Sequence, residues 1–277
     1  MTTPLLVAES VLSGNKLDWD LMRNQLTQVN SMAMKDLISI VNRAQEMDPW
    51  TGRQYLTEAF EALVDTYGGV SADLTAQWWD EIMADDIYFA QPADMPTYKQ
   101  LRTEVAWGLA QDTHGRRDVL SRMALLTQKH IFGAHRNTVD LNALNTKTGY
   151  ARMARPDACA FCRMLASRGA VYGSKSAALY VGAATVRKHY SDGHDRGYRL
   201  KKGRVRGVQK AGSKYHDHCR CVAAPVPESV DPNIPSYVEK FGEEYYQAIR
   251  ALDKENPNKS HSLADVTRVM RAQGNGK

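Results

Sequence analysis

The sequence predicts an α+β protein, a mainly helical N-terminal domain followed by a small α+β domain closed by a Cys/His group. Three observations carry this expectation. Apolar residues recur three and four positions apart through the first half, where runs of β-branched residues are scarce. From Gly149 the texture changes to short segments rich in glycine and β-favouring residues. All four cysteines fall in that second part. The expected divisions are a helical domain over 1–148, an α+β domain over 149–227, and a linker with a helical tail over 228–277.

In the first domain, Leu17, Leu21, Leu26 and Val29 begin an apolar stripe that continues through Met32, Leu37 and Val41. Asp48-Pro49 should stop it, because a residue before proline is pushed out of the helical region. A second helix is predicted over 51–67 and should break at Gly68-Gly69. Ser71 would cap a third, which carries Leu74, Trp78, Ile82 and Ile87 and ends at Gln91-Pro92. Two more follow, one with Leu101, Val105 and Leu109, the other with Val119, Met123, Leu126, His130 and Ala134. Trp78, Trp79 and Trp107 are assigned to the core, where tryptophan on a helical stripe usually packs. His130 and His135 read as structural, because no partner stands at metal-ligand spacing around them.

In the second domain, strands are expected near 169–172, 203–208 and 221–225, with a helix over 176–188. Pro225, Pro227, Pro232 and Pro235 mark an extended linker. A last helix over 237–252 would align Phe241, Tyr245 and Ile249 on one side.

Composition narrows the function. Hydrophobic residues at 43% and charged residues at 24% exclude a disordered chain. No stretch approaches the roughly 18 uninterrupted apolar residues of a spanning helix, so no membrane partner is expected. Residues 1–14 contain Glu9 and no basic start, and so do not read as a signal peptide. The protein is expected to be made in the cytoplasm, with its cysteines reduced. The net charge of +5 conceals an asymmetry: residues 151–227 hold 16 Lys and Arg against 4 Asp and Glu, while the remainder holds 20 against 27.

Cys159-Ala-Phe-Cys162 has the spacing at which a tight turn aims two thiolates at one tetrahedral zinc ion. Tyr215-His216-Asp217-His218-Cys219-Arg220-Cys221 adds two imidazoles and two sulfurs. Cys159, Cys162, one histidine and either Cys219 or Cys221 would complete a closed structural Zn²⁺ site that leaves no catalytic water. Alternate strand residues stand about 7 Å apart, so both sulfurs of Cys219 and Cys221 would reach one ion only across a bend. A disulfide between the two groups, or buried thiols, are the alternatives. Each metal or disulfide version fastens the start of the domain to its end.

Residues 196–214 carry eight positive charges and no acid, with glycines at 197, 203, 207 and 212. Arg199, Lys201, Lys202, Arg204, Arg206 and Lys210 are therefore candidate phosphate contacts, following a nucleic-acid backbone without reading sequence. A solvated loop, or a contact with an acidic protein, is the alternative. His189, Asp192, His194 and Asp195 are read as part of a polar turn rather than a catalytic cluster, and no catalytic residue is assigned. An HNH-type nuclease would place metal-activating histidines between its cysteine pairs, whereas here Cys219 and Cys221 follow directly on His218. A stand-alone zinc-containing regulator would lack a recognition helix.

The run from Arg155 through Cys159 and Cys162 to Tyr172, closed by His216, Cys219, Cys221 and Pro225-Val226, resembles the MuF-like head morphogenesis proteins of tailed phages, including those of actinobacteriophages. Their Cys-x2-Cys and His-x2-Cys-x-Cys elements map onto Cys159, Cys162, His216, Cys219 and Cys221, leaving His218 as an extra. The resemblance covers residues 150–227. It implies a low-copy, non-enzymatic minor capsid protein inside the virion head, assembled in the host cytoplasm. Portal, capsid or scaffold proteins and non-specifically bound packaged DNA would be its partners, with possible entry alongside the ejected DNA. Some such relatives are labelled capsid maturation proteases, which is the alternative function together with the HNH-type nuclease.

Overall fold

The structure is a computed structural model that describes residues 9–110, 118–167, 186–189, 195–198, 220–255 and 261–273. It opens with a hairpin of β1 (Leu12–Ser13) and β2 (Lys16–Leu17), turned at Gly14 with φ 65°. Helices α1 (Trp19–Gln45), α2 (Pro49–Met83), α3 (Tyr98–Leu109) and α4 (Val119–Thr146) follow. Asp18, Asp48 and Asp118 cap α1, α2 and α4 by accepting first-turn backbone N–H groups. Asp48-Pro49 thus both separates α1 from α2 and starts the second helix, with proline where its missing N–H costs nothing.

The expected break at Gly68-Gly69 does not occur. Helix α2 runs unbroken through both glycines, so four helices stand where five were predicted. Each glycine costs a helix roughly 1 kcal/mol, which burial of Phe60, Leu63, Val64, Leu74 and Trp78 along the same helix exceeds. Gly68 is there for close approach: a Cβ would lie 2.7 Å from the Met95 sulfur. Ser71 caps nothing and instead donates from Oγ to the Ile131 carbonyl of α4 at 2.7 Å. The helix ends at Met83, with Ala84 left-handed at φ 47°, well before Gln91-Pro92. Ile87 therefore falls outside it and is 92% exposed. Trp78 and Trp79 are buried as expected, but Trp107 is 49% exposed, because α3 packs only the stripe of Leu101, Val105 and Gly108.

After α4 come β3 (Tyr150–Met153), α5 (Ala160–Ala166), β4 (Val186–His189), β5 (Asp195–Tyr198) and β6 (Val222–Pro225). Among the described residues the sheets are two-stranded. β3 pairs antiparallel with β6, Tyr150 opposite Pro225 and Met153 opposite Val222, and β4 pairs with β5, His189 opposite Asp195. Residues 186–188, expected to finish a helix, are strand; the rest of that helix, the strands expected at 169–172 and 203–208, and Asp192 and His194 lie outside the described residues.

The β3–β6 ribbon is buried along its whole length. Its residues alternate between two faces, as strand geometry requires. Ala151, Met153, Val222 and Ala224 join the main core with Leu26, Phe60, Val105 and Met123, while Tyr150 and Ala223 pack with Trp79, Val139 and Ala143.

The proline-bearing segment beyond β6 is docked on the N-terminal hairpin. Leu17 N–H donates to the Asp231 carbonyl at 3.1 Å, Asp231 N–H to the Asn15 carbonyl at 2.8 Å, and the Trp19 indole to the Pro232 carbonyl at 2.6 Å. Helix α6 (Tyr237–Glu255) bears out the last predicted helix, and α7 (Leu263–Gln273), which no expectation covered, packs beside it. Together they bury the outer face of α5: Ala160, Met164 and Leu165 meet Ala248, Leu252, Val266, Val269 and Met270. Among the described residues no helix is long and apolar enough to cross a membrane.

Candidate functional site

Cys159, Cys162 and Cys221 stand at the neck of a long excursion of chain that leaves β3 and returns at β6. Cys159 is the N-cap of α5, its carbonyl accepting from Arg163 N–H at 3.0 Å, and it is partly buried. Cys162, one turn on, is buried at 3% exposure. Cys221 immediately precedes β6 and is buried at 6%. Cys162 and Cys221 belong to one apolar cluster, and Cys159 packs against it. The strand pairing is what achieves this, since Met153 opposite Val222 sets both chain ends of the excursion side by side.

Cys159, Cys162 and Cys221 are not linked to one another by a disulfide. Among the described residues no group of three or more His, Cys, Asp or Glu is arranged to hold a metal ion. His216 and Cys219, the remaining proposed ligands, lie outside the described residues, as do Arg199, Lys201, Lys202, Arg204, Arg206 and Lys210.

What holds the returning strand is a polar stripe on α4. Arg220 Nε donates to Gln128 Oε1 at 2.8 Å, Arg136 Nη1 reaches the Cys221 carbonyl at 3.4 Å, and Ala223 N–H donates to His135 Nε2 at 2.9 Å. The Ala223 N–H on the edge of β6 turned away from β3 is thereby satisfied by a helix side chain. His135 is fully buried, and because its Nε2 accepts, its Nδ1 carries the proton and donates to Thr75 Oγ1 at 2.8 Å. Thr75 in turn donates to the Ser71 carbonyl at 2.7 Å. Burial, seconded by the Arg136 charge, pushes the imidazole pKa down to about 3, so it stays neutral. Desolvation likewise lowers Arg220 from its usual value.

A cleft of about 540 Å³ opens between α3 and α4, lined by Asp94, Gln100, Glu104, Lys129, His130 and Arg136 among others. Glu104 accepts from both Lys129 Nζ and His130 Nε2 at 2.5 Å. Burial opposes its ionised form, but the hydrogen bonds and charges of His130 and Lys129 prevail and hold its carboxyl below the ordinary range. The arrangement ties α3 to α4, in keeping with the structural role expected of His130. A second, smaller cleft joins the first turns of α2 and α3 and is lined by Trp50, Arg53, Gln54, Thr57, Tyr98 and Arg102. Neither cleft was anticipated from the sequence. The available signal was Trp50, placed directly after the Asp48-Pro49 helix start and off the apolar stripe.

Among known protein families, the model described as VG15 protein matches residues 14–248, from the N-terminal hairpin through the excursion and into α6. No curated protein and no solved structure matches the chain.

Proposed function

The chain belongs to the VG15 protein family and is a phage protein, and from that premise we propose that it is a minor capsid protein of MuF-like type, acting inside the head of a tailed phage. One observation carries the proposal: the β3–β6 ladder gathers Cys159, Cys162 and Cys221 at the neck of the basic excursion. That is where the MuF-like pattern requires its cysteine elements to meet. The helical part would be the body that engages portal, capsid or scaffold protein. The excursion, with Arg199, Lys201, Lys202, Arg204, Arg206 and Lys210, would meet packaged DNA through phosphate contacts that release counterions.

Zinc fits the chemistry of the donor set. Thiolates and a neutral imidazole are its preferred ligands in closed structural sites. Cys159 and Cys162 would hold it from α5, while His216 with Cys219 or Cys221 would hold it from the returning segment. Bound there, the ion supplies a cross-link and no reaction. Metal analysis of the reduced, full-length protein should find about one zinc per chain, lost on Cys159→Ser/Cys162→Ser substitution. Absence of zinc from the native protein overturns the metal assignment.

Mass spectrometry of purified procapsids and mature heads tests the functional proposal. The protein should be present in both, at far lower copy than the major capsid protein. Its absence from both would rule the minor-capsid role out.

A further inference from the structure

We propose that the cleft between the first turns of α2 and α3 is a second nucleic-acid site, one that takes an unpaired nucleotide by stacking its base on Trp50 and Tyr98 and holding its phosphate at Arg53 and Arg102. It lies on the helical body, is built from residues other than those of the basic excursion, and does not depend on the minor-capsid role.

Trp50 is 68% exposed and Tyr98 46% exposed, yet both line one cleft of about 310 Å³. That is near the lower end, roughly 300 Å³, of small-ligand sites. Arg53 and Arg102 are exposed on the same walls, and neither forms an ion pair among the described residues. No carboxylate belongs to the lining. Asp48, two residues before Trp50, is engaged with the N–H groups of Trp50 and Thr51 at 3.1 Å.

The backbone at these helix starts is already satisfied. Asp48 caps α2, and Thr97 N–H donates to Gln100 Oε1 at 2.9 Å in a capping box on α3. An anion entering the cleft is therefore met by guanidinium groups, whose planar forks suit phosphate. The Gln54 side chain adds an amide that can pair with any base edge, and Thr57 lies buried among the lining. Aromatic rings serve every base alike, since each base has a π-face. An acidic peptide would use the arginines but leave the two rings and the amide without a role. Duplex DNA would offer phosphates and no accessible base face. A nucleotide with an unstacked base uses every group.

The test uses the full-length protein and fluorescence anisotropy with a single-stranded oligo(dT) of 20 nucleotides, with its duplex, and with dTMP as competitor. Trp50→Ala/Tyr98→Ala is expected to weaken oligo(dT) binding about tenfold or more, leaving duplex binding and the melting temperature unchanged. Arg53→Gln/Arg102→Gln should lower the single-strand salt slope by about 1.4, which keeps the proposal testable even if the double aromatic variant folds poorly. Neutralising Lys201, Lys202, Arg204 and Arg206 should weaken duplex binding while preserving the gap between wild type and the aromatic variant. Competition by dTMP at low concentration would mean that the cleft takes free nucleotide as well as strand; its failure to compete would confine the site to a strand. Unchanged single-strand affinity in both cleft variants, or competition by poly-glutamate that vanishes in the aromatic variant, overturns the proposal.

Discussion

Replacing His135 by alanine is expected to cost about 4 kcal/mol of folding stability, most of the margin of a typical domain. The substitution empties a fully buried ring that stands edge-on to Trp78 at 6.0 Å. It also strands Ala223 N–H and removes the donor to Thr75 Oγ1, which keeps its bond to the Ser71 carbonyl. Thr75→Val should cost less, about 1–2 kcal/mol, because it leaves shape intact and removes one hydroxyl. The double variant should fall well short of the sum, since both changes dismantle one chain of hydrogen bonds. Chemical denaturation of the three variants measures this, and strict additivity would refute the network.

The same imidazole makes stability depend on pH. Its folded pKa of about 3 lies below the ordinary 6.5, so the unfolded state takes up the proton first. The contribution is complete above 6.5 and declines as pH falls toward 3. Between pH 6.5 and 5 the loss is about 2 kcal/mol, and His135→Ala should flatten that part of the curve.

Introducing a charge by Met270→Asp should detach α7 and cost about 5 kcal/mol, the burial free energy of Val266, Val269 and Met270 together. The informative readout is local. Helix α5 loses part of the cluster that covers Met164 and Leu165, so the thiols of Cys159 and Cys162 should react faster with an alkylating reagent while far-ultraviolet dichroism changes little. Helix α6 would stay in place through Val238 and Phe241 in the main core, Ala248 and Leu252 against α5, and the Arg163–Glu244 pair at 3.2 Å. Unaltered thiol reactivity and melting would show that α7 contributes nothing to the cysteine helix.

Local chemistry was legible in the sequence and long-range chemistry was not. The stripes of α1, α3 and α4 and the strand at β6 follow from periodicity and propensity alone. Gly68 misled because its local cost was visible while the Met95 sulfur that packs where a Cβ would lie is 27 positions away. Trp107 misled for a related reason: a short helix buries one narrow stripe, and sequence spacing does not say which aromatic falls outside it. Helix α7 spans eleven residues and, among its described side chains, buries Val266, Val269 and Met270 as apolar anchors, a short window for a periodic signal. Of the candidate site, the cysteines were read by spacing, but the partners that fix their position were not. His135 meets Ala223 across 88 residues, and Arg136 meets Cys221 across 85. No local pattern encodes contacts at that separation.

Because β3 and β6 already hold both ends of the excursion together, its length is nearly decoupled from the stability of the body. Closing a flexible loop costs only about 0.6 kcal/mol more for each doubling of its length, far less than the buried ribbon and its α4 anchors supply. Mutation can therefore lengthen, shorten or recharge the part of the excursion beyond α5 while α1 to α4 remain as they are. Across the family, this is where sequences are expected to diverge fastest, with Gln128, His135 and Arg136 changing slowest.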